Sequence, residues 1–446
     1  MSWANKAAYF LLIFTVIFTA LAYGAVHQPV IALFYVLTAA MVVLWAIDCF
    51  VAGTVRASSA LLQLPLYAAA AYGFIQVIPF GWTSEGDVAN VPRTISLDQY
   101  ATQTSALHFL ALALLFSVTL VLIDRVKRIR RLVTTLTVFG FIFAFFAILQ
   151  GVLSPTKIYG IYERQFAQPY GSFVNRHNFA AYMEMTLALP LSLVLTGSVK
   201  RDQRLLYLTA VLLMAVALFL SGSRGGLIAM IAEVIVMVMI TAPVRRGKKL
   251  AVRLALGAAL LVAVAAGTIF VGGESSLTRI AETASSKDVS VSRTQIWTTT
   301  LEVITHNLPF GVGLGALGVA YTNFDTFSGL ERVEQAHNDY LQIVSDAGVI
   351  GMLIGGAFLY FLIRTFTKNM STGNTYRRAV VIGAGAGIFG VLVHSLFDFV
   401  LHTTAVSVLF FVLLSLLVNS GFDYEDDIPG DEPRRHRRGS VHPLRQ

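Results

Sequence analysis

Residues 205–253 read LLYLTAVLLMAVALFLSGSRGGLIAMIAEVIVMVMITAPVRRGKKLAVR. Two apolar runs, near 205–221 and 227–242, flank the hairpin Ser221-Gly222-Ser223-Arg224-Gly225-Gly226, and the basic cluster Arg245, Arg246, Lys248, Lys249 and Arg253 follows. A bilayer core takes about 20 apolar residues per helix. Each run therefore reads as a membrane span, with the hairpin at one surface and the basic cluster at the other. Cytoplasmic connections carry an excess of Lys and Arg, which puts the hairpin and Arg224 on the non-cytoplasmic side.

The pattern extends along the whole chain. Of its 446 residues 56% are apolar and 13% charged, with a mean hydropathy of +0.70. A soluble domain has about 45–50% apolar and about 25% charged residues. Further spans are read near 8–26, 30–52, 60–80, 105–123, 132–153, 177–197, 254–272, 347–366, 379–397 and 405–421, giving about twelve. The fold class is an all-α polytopic integral membrane protein. The run from Ala8 to Val26 lacks a strong basic flank and is followed almost at once by another at Val30. It reads as a retained first helix rather than a signal peptide. With the N-terminus inside, the alternating connections put 24 of the 33 Lys and Arg residues on the cytoplasmic side and 9 outside. Both termini are thus expected to be cytoplasmic. The basic patches behind the formal charge of +8 are topology signals, not a nucleic-acid footprint. The single cysteine, Cys49, excludes an internal disulfide and a cysteine-based metal cluster.

Residues 1–422 read as one transmembrane domain, and 423–446 as a basic, disordered cytoplasmic tail. No cytoplasmic connection could hold a folded nucleotide-binding domain. The extramembrane material lies mostly outside, at 81–104, 154–176 and 273–346. Loops beyond about 12–15 residues are usually functional or disordered, and 273–346 does not look disordered. Thr294 to Thr305 has a helical apolar pattern at Ile296, Leu301, Val303 and Ile304, which Asn307-Leu308-Pro309 stops. A flexible turn, Gly311-Val312-Gly313-Leu314-Gly315, follows, and a second helix should start near His337 and run into the tenth span. A helical cap over the outer face is expected.

Four stretches carry candidate chemistry. In Ala336-His337-Asn338-Asp339-Tyr340-Leu341-Gln342, His337 suits general-base work because an imidazole titrates near neutrality. The alternative is a polar helix start capped by Asn338 or Asp339. In the hairpin, Arg224 sits at the outer interface, where a guanidinium can grip a phosphate through two parallel hydrogen bonds; an interfacial anchor is the other reading. Gly171-Ser172-Phe173-Val174-Asn175-Arg176-His177-Asn178 places Arg176 and His177 at the same surface. Arg293 starts the amphipathic loop helix, a placement opposed by the helix dipole that hints at an anionic partner. Two acids, Glu184 and Glu233, fall inside spans. Acids there are costly and functional by default, lining a polar cavity or pairing with other helices. His394, Asp398 and His402 recur every four residues. Metal ligation is conceivable on a continuous helix, but Asp398 to Thr404 reads as the outer turn, so no metal is expected.

Taken in order, these pieces resemble the bacterial O-antigen ligase and polymerase superfamily. The resemblance rests on Ser221–Gly226, on Ser292-Arg293 before Trp297, on Pro309–Gly315, on Ala336–Gln342 and on His394-Ser395-Leu396-Phe397-Asp398-Phe399. It is firm from about Gly171 to Asp398, and the first four spans match only in hydropathy. It implies a C-type glycosyltransferase-like membrane fold with a large helical periplasmic loop that carries part of the active site, in the bacterial inner membrane. It implies an inverting transfer of glycan from an undecaprenyl-pyrophosphate-linked donor at the periplasmic face. In the ligase branch the acceptor is lipid A–core oligosaccharide; in the polymerase branch it is another lipid-linked repeat unit, and in a third branch a pilin hydroxyl. By similarity His337 is the base and Arg224, Arg293 and, less securely matched, Arg176 bind the donor pyrophosphate. Asn338, Asp339, His177 and Asp398 are supporting residues, and no cofactor is implied. A transporter or flippase would predict inverted repeats, which the sequence lacks.

Overall fold

The computed structural model describes residues 2–82, 92–163, 168–241, 288–326 and 332–421. Within them every predicted span is a helix: α1 (Trp3–Leu21), α2 (Gln28–Ala52), α3 (Gln63–Gln76), α4 (Gln99–Leu122), α5 (Val126–Leu153), α6 (Arg176–Thr196), α7 (Arg204–Leu220) and α8 (Arg224–Thr241). Two helices of the long loop follow, α9 (Asp288–Asn307) and the short α10 (Leu317–Tyr321). Three more close the bundle: α11 (Asp339–Asn369), α12 (Thr375–His394) and α13 (Thr404–Asn419). A two-residue hairpin, β1 (Gly81–Trp82) with β2 (Pro92–Arg93), precedes α4. Eight of the described helices are long and apolar enough to cross a membrane, and α7 and α13 are shorter apolar helices. The predicted span at 254–272, the loop residues 273–287 and the tail 423–446 lie outside the described residues.

A helix that is apolar on all sides must be buried, and two helices here fit that rule. α6 is buried from Asn178 to Leu195, and α13 along its whole length. α12 packs on both and on α8. Its small residues let it come close: a Cβ on Gly383 would stand 3.0 Å from the Ala188 carbonyl oxygen, and one on Gly387 3.1 Å from the Ala188 Cβ. Association inside lipid depends on such close packing, because tails and side chains are equally apolar. α2 and α11 have mostly exposed apolar surfaces and form the outside of the bundle.

The helix ends sort into two groups. At one end, Asn419 Nδ2 donates to the carbonyls of Leu120 and Ile123, and Asn369 Nδ2 to those of Leu417 and Val418. At the other end the starts of α6, α8, α11 and α13 meet the finishes of α1, α7 and α12. The candidate histidines and arginines from the sequence lie at that second end, while Glu184 and Glu233 lie deeper, within α6 and α8.

The long loop is anchored there. The glycine turn expected to be flexible is instead pinned: Val312 N–H donates to the Ser345 carbonyl, Gly313 N–H to the Asp346 carbonyl, and Gly315 N–H to Asp346 Oδ2 at 2.9 Å. Its three glycines do not provide freedom. They supply the positive φ values (76°, 105° and 74°) that let the backbone lie on α11. Gly348 accommodates this contact from the other side, with φ 59° and ψ −143° and a Cβ position only 2.1 Å from the Pro309 carbonyl oxygen. Gly348→Ala is expected to cost at least the roughly 1–3 kcal/mol of a glycine-only conformation, with the clash adding to it. Thermal melting in detergent checks this; an unchanged midpoint would contradict the packing.

Candidate active site

His337 lies just before α11, with φ 50°, a left-handed conformation that is uncommon outside glycine. Its neighbour Asn338 caps α11, accepting from Tyr340 N–H at 2.9 Å and Leu341 N–H at 3.1 Å, and its amide donates to the Leu396 carbonyl. The capping alternative is therefore right for Asn338, and it leaves His337 free of any capping duty. Gln342 fixes the loop from within the helix, accepting Ala336 N–H at 2.8 Å and donating to Asp346 Oδ1. His337 Nδ1 stands 3.2 Å from Asp398 Oδ1, and Phe399 packs edge-on against the ring, with 4.9 Å between centroids. The imidazole is 35% exposed and the Asp398 carboxylate 4%.

Asp398 is the meeting point. Its second oxygen lies 3.4 Å from Arg293 Nη2 and 3.8 Å from His177 Nδ1. Burial by itself would push this carboxyl up, but the hydrogen bond from His337 and its setting between two histidines and the Arg293 guanidinium hold it well below the usual carboxylate range. It therefore stays ionised throughout the physiological range. Its stabilising contribution is present above the ordinary carboxylate value and is lost as pH falls through the depressed one. Arg293 is the sixth residue of α9, not its first. The expected dipole conflict disappears, and the guanidinium faces Asp398 instead.

Asp339 and His402 form a second pair, 2.9 Å apart, and Asp339 also accepts from Ser395 Oγ and Leu401 N–H. Burial lowers the His402 value, but the hydrogen bond and charge of Asp339, with Asp346, raise it above that of an ordinary imidazole. The pair's contribution is full below the ordinary histidine value and fades as pH rises through the raised one. Asp339 thus ties α11 to the turn after α12.

The Ser221–Gly226 turn lies on the other flank. Ser223 caps α8 by accepting Gly226 N–H at 3.2 Å, and its hydroxyl is 2.8 Å from His177 Nδ1 and 3.4 Å from His394 Nε2. The two glycines are there for approach: a Cβ on Gly225 would stand 2.7 Å from His394 Cδ2, and one on Gly226 2.6 Å from the Ala180 Cβ. Arg176 lies against the same turn, its Nη1 3.3 Å from the Cβ position of Gly222. Arg224 is exposed and has neither an ion pair nor a side-chain hydrogen bond among the described residues. An unpaired arginine at a helix N-terminus, beside a second arginine and free N–H groups, is suited to an anion.

α12 ends at His394, so Asp398 and His402 lie in the turn that follows it, as the reading of Asp398 to Thr404 as an outer turn expects, and the three do not share a helix face. Each turns to a different partner: Glu184, His337 and Asp339. Among the described residues no group of three His, Cys, Asp or Glu side chains is arranged to hold a metal. The two membrane acids also part company. Glu184 Oε2 lies 3.2 Å from His394 Nδ1, both fully buried. Glu233 is equally buried, with neither oxygen bonded to any described residue. A buried polar group without a partner costs about 1–3 kcal/mol, so Glu233→Met is expected to raise thermal stability by about that amount. A lower melting point would show that the acid has a partner beyond those described.

Sequence reasoning singles out His337 and the arginines, which the structure places at one end of the bundle, but misses Ser223 as a hub, the Glu184–His394 and Asp339–His402 pairs, and the contacts of Gln342. Only the Gln342–Asp346 spacing, four residues apart on one helix face, could have signalled its link.

By fold the chain is an all-α polytopic membrane protein. Residues 209–355, about a third of it, match the O-antigen ligase family model, which supports its placement in the O-antigen ligase superfamily. The matched stretch includes the Ser221–Gly226 turn, Arg293 and His337, and excludes Arg176, His177 and the His394–Asp398 segment. No curated protein matches the chain. The family supports a ligase- or polymerase-type function on lipid-linked glycans in general.

Proposed function

We propose that this protein is a metal-independent, inverting glycosyltransferase of the O-antigen ligase type. It moves a glycan from undecaprenyl pyrophosphate to lipid A–core oligosaccharide at the periplasmic face of the bacterial inner membrane, with both termini cytoplasmic. The observation that carries this reading is Asp398 holding His337 on one oxygen and Arg293 on the other, at the bundle end where Arg176 lies against the turn that carries Arg224.

The chemistry follows from that arrangement. With Asp398 ionised, His337 donates Nδ1–H to it and presents a bare Nε2, which takes the proton of the acceptor hydroxyl. The acceptor oxygen bonds to the anomeric carbon as the bond from that carbon to the pyrophosphate oxygen breaks. The electron pair leaves with the pyrophosphate, and the proton remains on His337 as an imidazolium facing Asp398. Charge grows on the leaving oxygen, so Arg224, Arg293 and Arg176 favour the transition state over the ground state. Attack opposite the leaving group inverts the anomeric centre. The C-type glycosyltransferase-like architecture and the periplasmic cap over residues 273–346 belong to the same reading.

Purified protein in vesicles, given undecaprenyl-pyrophosphate-linked glycan with or without lipid A–core, tests it on a gel. Core-linked product is the expected result. Lengthened lipid-linked chains would instead make the protein a polymerase with the same donor and site. No product with a verified donor and acceptor would overturn the transferase reading.

A further inference from the structure

A line of polar side chains runs from the candidate site into the membrane interior and takes no part in the proton transfer at His337. It passes from His177 Nδ1 to Ser223 Oγ (2.8 Å), from Ser223 Oγ to His394 Nε2 (3.4 Å), and from His394 Nδ1 to Glu184 Oε2 (3.2 Å). His394 and Glu184 are fully buried, Ser223 is 3% exposed, and the His177 side chain is 19% exposed at the outer end.

The direction of these hydrogen bonds follows from charge and valence. A fully buried acid–base pair is far less costly with zero net charge than with an unbalanced carboxylate. The neutral pair holds two protons: one shared between Glu184 and His394 Nδ1, the other on His394 Nε2. His394 Nε2–H must then donate to Ser223 Oγ. Ser223 also accepts Gly226 N–H, so both acceptor positions of its hydroxyl are used and its single proton is left for His177 Nδ1. His177 is thereby fixed with Nδ1 as acceptor and the proton on Nε2, the nitrogen that bonds to no described residue.

We infer that Glu184 and His394 are buried positioning residues that act through Ser223 to hold His177 with its Nε2–H turned to the site, as a hydrogen-bond donor to a pyrophosphate oxygen. The inference rests on the transferase reading for the identity of the anion, not for the polarity of the chain. The same chain holds the cap of α8, so the turn presenting Arg224 and the His177 donor are set together.

Glutamine separates this role from a merely structural one. In Glu184→Gln the amide N–H can donate to His394 Nδ1, as a protonated carboxyl would, and the polarity survives. In Glu184→Leu it is lost. Full-length protein in vesicles is expected to retain kcat/KM for the lipid-linked donor within about threefold in Glu184→Gln. In Glu184→Leu it should lose about 10- to 100-fold, the range for one hydrogen bond to a charged group. Glutamine behaving as badly as leucine would overturn the neutral-pair assignment. So would a leucine variant whose folded fraction keeps full kcat/KM.

Solid-state NMR of ¹⁵N-histidine-labelled protein provides a readout that needs no activity, with His177→Asn identifying the resonance by difference. The expected signature is a protonated Nε2 and a bare Nδ1 on His177, with Nε2 shifting on addition of inorganic pyrophosphate. A bare Nε2 would refute the chain even in an active enzyme. An inactive wild type with the expected tautomer would remove the transferase reading and leave the positioning pair standing. The expected tautomer without a pyrophosphate shift would refute the donor role of His177.

Discussion

His337→Gln is expected to lower transfer by about 10²–10⁴-fold, the usual contribution of a positioned general base, while the protein still inserts and melts as wild type does. The side chain is one-third exposed, glutamine fills a similar volume, and the helix is capped by Asn338, not by His337. The loss should therefore fall on kcat more than on KM for the donor, because the base acts only as the acceptor oxygen attacks. Steady-state kinetics with donor and acceptor varied separately check this. The backbone adds a constraint of its own. At φ 50° histidine is among the residues that tolerate the left-handed region, whereas a β-branched replacement would lose folded protein as well as activity. A glutamine variant with wild-type kcat would remove His337 from the chemistry and leave it a packing residue against Phe399.

Arg224→Ala is expected to cost about 10²–10³ in kcat/KM for the lipid-linked donor, the range for deleting one preorganised donor to a developing negative charge. Lysine should recover only part of this, because it supplies a point charge without the planar fork that binds two phosphate oxygens at once. Arg293→Ala should behave differently, although the charge removed is the same. Arg293 shares the Asp398 carboxylate with His337, so its loss alters the field on the base as well as the grip on the pyrophosphate. Its pH–rate profile should shift where that of Arg224→Ala does not. Coincident profiles for the two variants would mean that Arg293 does not act through Asp398.

The membrane class, the positions of the described spans, the loop helix α9 and the start of α11 beside His337 are legible in the sequence because apolar runs and their stops are local features of the chain, whereas the short α10 is not. His337 and the three arginines are legible for a related reason: polar groups at the ends of apolar runs stand out against their surroundings. What the sequence hides is pairing. Glu184 and His394 are 210 residues apart, and nothing in either helix indicates that Gly225 and Gly226 bring Ser223 between them. Asp339 has the sequence position of a cap, yet its carboxylate is taken by Ser395 and His402. The spacing of His394, Asp398 and His402 would fit one helix face, but the turn from Asp398 to Thr404 is legible in the sequence and the helix indeed ends at His394. Arg293 is misplaced by a few residues because the apolar pattern that marks the helix begins only at Ile296.

The most direct test of the central claim is the anomeric configuration of the product formed in the presence of EDTA. Wild-type protein would be supplied with a donor of defined configuration, and the new linkage read by NMR of the released glycan. One in-line displacement, with arginines holding the pyrophosphate and His337 taking the proton, predicts an inverted linkage formed at the same rate with or without the chelator. A retained configuration would require a covalent glycosyl intermediate, and EDTA inhibition would require a metal to do the work of the arginines. Either result would contradict the mechanism.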